Sequence, residues 1–459
     1  MTKVIGIDLG TTFSAIASLD DLGNPEVLAS IEDNRKITAS AVYLRDNEVV
    51  VGDKALTYLK DQSKNVILQT KREMENNVVY SIDQGKWVND TDLVDAYTPA
   101  QVSALILKKL KEYTSDVKKV VITVPAMFAE KARQATLDAA KIADLEVIEL
   151  INEPTAAVLH YASLPGVEVG GRVMIFDLGG GTFDVTFAEV KNKKVDVLTS
   201  RGDKYLGGRD FDNEITKLMK KKYFDIHNVE IDIDNNKEYL HKAEEVKKIL
   251  SVKDKANIEI NGPKGLQKIE ITQDEFEESI QTYIEKIKML IEEAMDASGM
   301  NPSRINQTLL VGGSTRMPII TKVLTQLMGK PPVKGVNVDE AVVCGAAIYA
   351  GLKTEKETLS DEQQEALKDV NLTDVCNFYM GTLAVVTDTH TNRRVIANTI
   401  IIERDAKLPV SVTKRYTTIE EGQENLECSV TQSEGPEDNK EFVNIIHEEM
   451  LKLPKGRPA

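Results

Sequence analysis

Cysteine is scarce in this chain: 459 residues contain three, Cys344, Cys376 and Cys428, far apart and without a CxxC pair nearby. Disulfide scaffolding and structural zinc are therefore not expected. The five histidines, His160, His227, His241, His390 and His447, are scattered without metal-ligand spacing. The acidic stretch 230–236 lacks the glycine and terminal glutamate of an EF-hand loop. A basic excess is missing too: 57 Lys+Arg against 73 Asp+Glu give a net charge of −16, so no phosphate-tracking nucleic-acid surface is expected. No run of eighteen apolar residues exists to span a bilayer, and MTKVIGIDLG carries no leader pattern, so a soluble protein of the cytoplasm is expected, with neither nucleic acid nor membrane as partner.

What is present is an alternation of short apolar runs and helical patterns over residues 1–352, the mark of an α/β region. Strands are expected at 4–9, 120–124, 173–176 and 308–311. Thr98 and Pro99 start one helix, with Val102, Leu105, Ile106, Leu110 and Tyr113 near one face. Thr272 and Glu275 form a capping box for another, which carries Phe276, Ile280, Ile284, Ile287 and Ile291 and stops at Gly299. Residues 353–369 turn polar and acidic, without an apolar face, and read as a connector. Beyond them strands are expected at 378–387, 395–404, 410–418 and 426–431, with a helix at 442–450.

The strongest signal is an internal echo. VIGIDLGTTFSAIA begins at Val4 and VMIFDLGGGTFDVTFA begins at Val173, each a strand, a turn and a strand. A phosphate needs N–H donors free of Cβ interference, which Gly10 offers in the first turn and Gly179, Gly180 and Gly181 in the second. Thr11, Thr12 and Thr182 add hydroxyls. Asp8 and Asp177 sit at the carboxyl ends of their strands, where carboxylates suit a hydrated Mg²⁺ that bridges phosphates. One such turn could be a simple hairpin, whereas two matched copies point to a shared phosphate site. A third turn, LLVGGSTRMP, places Gly312 and Gly313 between a strand and a helix start.

With IGIDLGTT, VITVPAMF, INEPTAA, IFDLGGGTFDV, LGGRDFDN, LLVGGSTRMP and VDEAVVCGAA in this order, the chain resembles the 70-kDa heat-shock chaperones, the DnaK-like family of the actin-like ATPase superfamily. The resemblance implies a two-lobed, RNase-H-like ATPase in residues 1–352, an interdomain linker in 353–376 and a partial β-sandwich for peptide binding, without a helical lid, in 377–459. It implies ATP or ADP with Mg²⁺ as cofactors and unfolded polypeptide as client, with a co-chaperone and an exchange factor as possible partners. Asp8 and Asp177 match the carboxylates that hold Mg²⁺ through its waters, and Gly10, Thr11, Thr12, Gly179, Gly180, Gly181 and Thr182 match the phosphate cradle. Lys71 matches the catalytic lysine and Glu153 a carboxylate near the metal and attacking water. Gly207, Gly208, Glu244, Lys247, Lys248, Ser251, Gly312, Gly313, Ser314, Arg316 and Asp339 match the nucleotide pocket. Pro125 and Arg133 match a proline switch and its arginine relay.

Two departures stand out against the family pattern. Lys248 replaces a common arginine and lacks a guanidinium to stack on a purine, so weaker nucleotide binding is expected. The linker's leucine-rich stretch reads Val370-Asn371-Leu372-Thr373-Asp374-Val375, with two apolar anchors replaced by polar residues, and weaker docking is expected. Ile419, Leu426 and Cys428 fall at pocket-lining positions of the peptide clamp, or serve as ordinary strand core. The reading favoured is an ATP-dependent chaperone. A nucleotide-binding scaffold that has lost its clients, or a small-molecule kinase of the same superfamily, remains open as an alternative.

Overall fold

The computed structural model describes residues 5–45, 48–115, 117–164, 171–234, 236–333, 337–387 and 392–454. Val4, Asn235, His390 and the last residues of KLPKGRPA lie outside them.

Two sheets of matching topology form the body. In the first, strand Ile5–Leu9 pairs antiparallel with its hairpin partner Phe13–Leu19 and parallel with Lys119–Val124, which pairs in turn with Glu146–Asn152. In the second, Gly171–Leu178 pairs antiparallel with Phe183–Lys191 and parallel with Gln307–Val311. The sequence echo is therefore a structural duplication. Apolar residues on the strands make them buried on both faces: Ile5, Ile7, Val120, Ile122, Ile175 and Phe176 are at most 1% exposed.

Helices Glu153–Ser163 and Ala341–Lys353 lie back to back between the sheets. They meet at a small-residue seam, where a Cβ on Gly345 would stand 1.8 Å from Ala156 O. No side chain fits there, so the close approach of the two helices depends on glycine at this position. Smaller strands and helices cap the first lobe. Helices Gly208–His227 and Lys237–Leu250 and hairpin Lys255–Gly262/Gly265–Thr272 build the outer part of the second around Phe211, Ile215, Met219 and Tyr223.

Helix Pro99–Lys111 begins on the Thr98–Gln101 capping box. The box at Thr272 and Glu275 also forms, but its helix breaks at Ile280 into Gln273–Ser279 and Gln281–Ser298. Ile280 is fully buried and leaves helical geometry (φ −98, ψ 5), and the apolar period runs through it, so the pattern does not register the break. The connector is likewise less featureless than expected. Helix Asp361–Leu367 starts on a Ser360–Gln363 capping box and buries Leu359 and Leu367 beside Leu352 and Leu372. Gln363 Nε2 donates to Asp20 O (2.9 Å) and Ser360 Oγ to Asp21 O (3.0 Å), tying the connector to the first lobe.

The linker stretch lies against the second lobe. Strand Asn371–Thr373 joins the second lobe's sheet, parallel to Lys194–Asp203. Backbone pairing is indifferent to the loss of leucines, and Leu372 still packs against the core. Beyond it stands a four-stranded sheet in the order Arg394–Ile402, Tyr379–Thr387, Asn425–Ser433, Asn444–Lys452. The last of these corrects the helix expected at 442–450: it pairs with Asn425–Ser433 from Asn444 to Lys452, a tertiary contact that overrides an ambiguous short pattern. Residues 410–418 are not a strand either. They have no ladder partner, and Val412 and Tyr416 are exposed.

Candidate functional site

The duplicated turns face one another across the cleft. A Cβ on Gly180 would lie 1.9 Å from Thr12 Oγ1, so the turns touch only because that position carries no side chain. Gly208 N–H donates to Gly179 O (3.0 Å), Gly179 N–H to Thr182 O (3.1 Å) and Ser314 Oγ–H to Gly179 O (2.9 Å), which fixes the second turn. The first is set by Gly10, whose N–H donates to Ser14 Oγ (3.1 Å) and whose carbonyl accepts from Ser40 Oγ (2.8 Å). Gly207 caps the helix that Gly208 opens, and Asp210 returns to accept from Gly207 N–H (2.8 Å).

Beneath the turns lies a buried charged cluster. Lys71, on the short 3₁₀ segment Thr70–Glu73, is paired with Glu153, the first residue of the central helix Glu153–Ser163; both are 7% exposed. Asp8 accepts from Thr123 Oγ1 (2.8 Å). Asp177 Oδ2 is buried without a hydrogen-bond partner. Burial raises the carboxyls of Asp8, Glu153 and Asp177, with Lys71 opposing in each case. Asp184, which the sequence reading passed over, stands directly across the hairpin from Asp177. Burial and the nearby Glu153 push its carboxyl up to about 7. Counting antiparallel register outward from the glycines would have found it.

Four acids against one lysine make a set that favours an added cation. The orphaned Asp177 oxygen offers a donor for one. Among the described residues no group of three His, Cys, Asp or Glu could itself hold a metal ion, so a cation placed here would need ligands besides these side chains.

A cavity of about 550 Å³ opens from the turns, lined by Thr11, Thr12, Gly180, Gly208, Gly313 and Ser314 at the phosphate end and by Glu244, Lys247, Lys248 and Arg316 farther out. That volume suits a nucleotide. Lys247 Nζ bonds Gly208 O (2.9 Å) and Asp212 (2.7 Å). Against its burial, the hydrogen bond from His241 together with the neighbouring Lys248 and Lys247 holds the Glu244 carboxyl down at about 2. Lys248 sits 3.1 Å from Glu244 and 2.9 Å from Glu245, and its ammonium lies 5.8 Å from the Phe13 ring centroid on the first lobe. Arg316 is bound by Asp339 through two 2.7 Å bonds. Gly312 N–H donates to Val338 O (3.1 Å), and Ser251 Oγ–H to Lys247 O (2.9 Å). Gly312, Asp339 and Ser251 thus support the lining and do not form it.

Arg72, beside Lys71 and also missed in the sequence, crosses the cleft. Its guanidinium donates to Gly181 O (2.9 and 3.1 Å) and to Asp210. Behind the cluster, Asn152 caps the central helix; its Nδ2 donates to Asp374 Oδ2 (3.1 Å), as does Thr155 Oγ (3.1 Å). Arg133 donates to Asn152 Oδ1 (2.6 Å) and to Phe128 O (3.0 Å), three residues past Pro125. The C-terminal sheet is anchored alongside: Arg201 donates to Asp405 (2.8 and 3.1 Å), Thr199 Oγ–H to Asp405 Oδ1 (2.8 Å), Glu130 N–H to Gln432 Oε1 (3.1 Å), and Phe378 packs on Met127. Ile419 is 46% exposed, while Leu426 and Cys428 are half-buried.

Comparison with known proteins adds an independent line. A family model described as Hsp70 protein matches residues 4–458. The chaperone protein dnaK of Thalassiosira pseudonana is 34% identical over 100% of this chain and 77% of its own length. The chaperone protein DnaK of Thermus thermophilus is 35% identical over 100% of this chain and 75% of its own.

Proposed function

Because the chain belongs to the Hsp70 family, an ATP-dependent chaperone family, we propose that its cleft binds ATP with Mg²⁺, hydrolyses it, and uses the change to control the C-terminal sheet's hold on extended polypeptide. The domain division that goes with this reading is 1–352 for the ATPase, 353–376 for the linker and 377–459 for the peptide-binding β part. One observation carries the coupling. The central helix Glu153–Ser163 meets Lys71 through its first residue and Asp374 through its cap and first turn. A shift of that helix end by nucleotide therefore reaches the linker directly.

In this account the turns donate to the phosphates through N–H groups other than those of Gly10 and Gly179, which are already bonded within the turns, and Thr11, Thr12 and Thr182 add hydroxyls. Asp8 and Asp177 would hold Mg²⁺ through its waters, and the ion would supply positive charge against the phosphates. Glu153 and Lys71 place the attacking water, and the Lys71 ammonium meets the charge that develops on the γ-phosphate. Glu244 and Lys247 take the ribose side, with Lys248 and Arg316 flanking the base. A cytoplasmic setting accords with three unpaired cysteines. No helix among the described residues is long and apolar enough to cross a membrane. Co-chaperones and an exchange factor are the expected partners of such a cycle. Single-turnover ATP hydrolysis tests the site: Lys71→Ala and chelation of Mg²⁺ should each remove turnover while Lys71→Ala still binds ATP, and turnover that survives both changes refutes the assignment.

A further inference from the structure

One cation of the cavity has no partner in the account above. Arg209 is the second residue of helix Gly208–His227, and its backbone N–H donates to Gly180 O (2.8 Å) at the seam between the two turns. The residue is part of the cavity's lining. The other cations there are committed: Lys247 to Asp212, Lys248 to Glu244 and Glu245, Arg316 to Asp339, and beneath the turns Lys71 to Glu153 and Arg72 to Asp210. Among the described residues the Arg209 guanidinium makes neither a hydrogen bond nor an ion pair. Asp210 and Asp212 act on it only at a distance, since each bonds another cation, and Arg72 repels it. Burial lowers its pKa, the sign that its charge is poorly solvated as it stands.

A largely buried guanidinium without an anion, beside a second guanidinium, is an unfavourable arrangement that a bound oxyanion would relieve. We propose that Arg209 is a nucleotide-phosphate ligand supplied by the second lobe, donating to phosphoryl oxygens where the two glycine turns meet. This inference rests on the nucleotide reading of the cavity. Its consequence is selectivity by charge: Arg209 strengthens binding of ATP and ADP and leaves adenosine alone. Because it belongs to the second lobe while Thr11 and Thr12 belong to the first, it also makes phosphate a tie between lobes.

Equilibrium titration of the full chain with ATP, ADP and adenosine tests this, comparing wild type with Arg209→Ala and Arg209→Lys. Loss of one charge-assisted contact should weaken ATP and ADP by roughly tenfold in Arg209→Ala, keep adenosine within about twofold, and be partly restored in Arg209→Lys. Unchanged ATP affinity in Arg209→Ala overturns the assignment. So does an equal loss for adenosine, which marks a structural role instead. Failure of the wild type to bind ATP at all overturns the nucleotide reading itself along with this inference.

Discussion

Exchanging Asp405 for asparagine should release the C-terminal sheet from the second lobe. Asp405 accepts three hydrogen bonds, one from Thr199 Oγ and two from Arg201, whose guanidinium belongs to a residue only 7% exposed. Bonds to charged groups contribute about 1.5–3 kcal/mol each when one partner is lost, but Arg201 keeps its 2.7 Å bond to Glu293 and water can reach Asp405. A net cost of about 2 kcal/mol is expected, close to a 30-fold change in the docking equilibrium. Asparagine is the right replacement because residue 405 has φ +65, which asparagine tolerates and alanine resists. Hydrogen exchange of strands Asn371–Thr373 and Tyr379–Thr387 reads the equilibrium residue by residue. Exchange should accelerate about 30-fold in Asp405→Asn, and Arg201→Met should add little to it. A change below about threefold, or full additivity of the two substitutions, refutes the role given to this pair.

Further outcomes follow from other parts of the structure. Gly180→Ala places a Cβ 1.9 Å from Thr12 Oγ1, so the turns must part; ATP affinity should fall at least ~10-fold, and unchanged affinity shows that the turns need not meet. His160 is held by burial at about 4, below the ordinary imidazole value, so its contribution to stability is complete above about pH 6.5 and lost as pH falls toward 4. The stability difference between wild type and His160→Leu should therefore shift against the wild type by roughly 2–3 kcal/mol from about pH 7.5 to about pH 4.5, and a pH-independent difference contradicts the burial argument. Asp374→Asn leaves Asn152 and Thr155 facing an amide in place of a carboxylate; ATP hydrolysis should persist while nucleotide ceases to change linker protection, and retained nucleotide-dependent protection refutes the route through the helix cap.

Much of this was legible in the residues because the signals are local. A glycine turn after an acid-ended strand is recognisable wherever it occurs, and its repetition announced two sheets before any sheet was seen. The partners of Lys71 were harder to reach: nothing near residue 71 points to Glu153, since the pair closes a span of 82 residues. Arg72 and Arg209 were missed for the same reason, being adjacent to motif residues and unremarkable until the lobes come together. Where the reading went astray, tertiary pairing decided. Residues 444–452 have a pattern compatible with helix or strand, and the neighbouring strand Asn425–Ser433 made the choice. For the linker, counting leucines registers side chains alone and does not reveal the backbone pairing of Asn371–Thr373 or the bond that Asp374 accepts from Asn152.

The measurement that bears most directly on the central claim is the affinity of a fluorescent unfolded peptide for the full chain in ATP and in ADP, with Lys71→Ala in ATP beside it. A cleft coupled through the central helix to the linker predicts peptide affinities that differ at least ~10-fold between the two nucleotides, with Lys71→Ala held at the ATP value because it binds but does not turn over. Equal peptide affinity in ATP, in ADP and without nucleotide would contradict it.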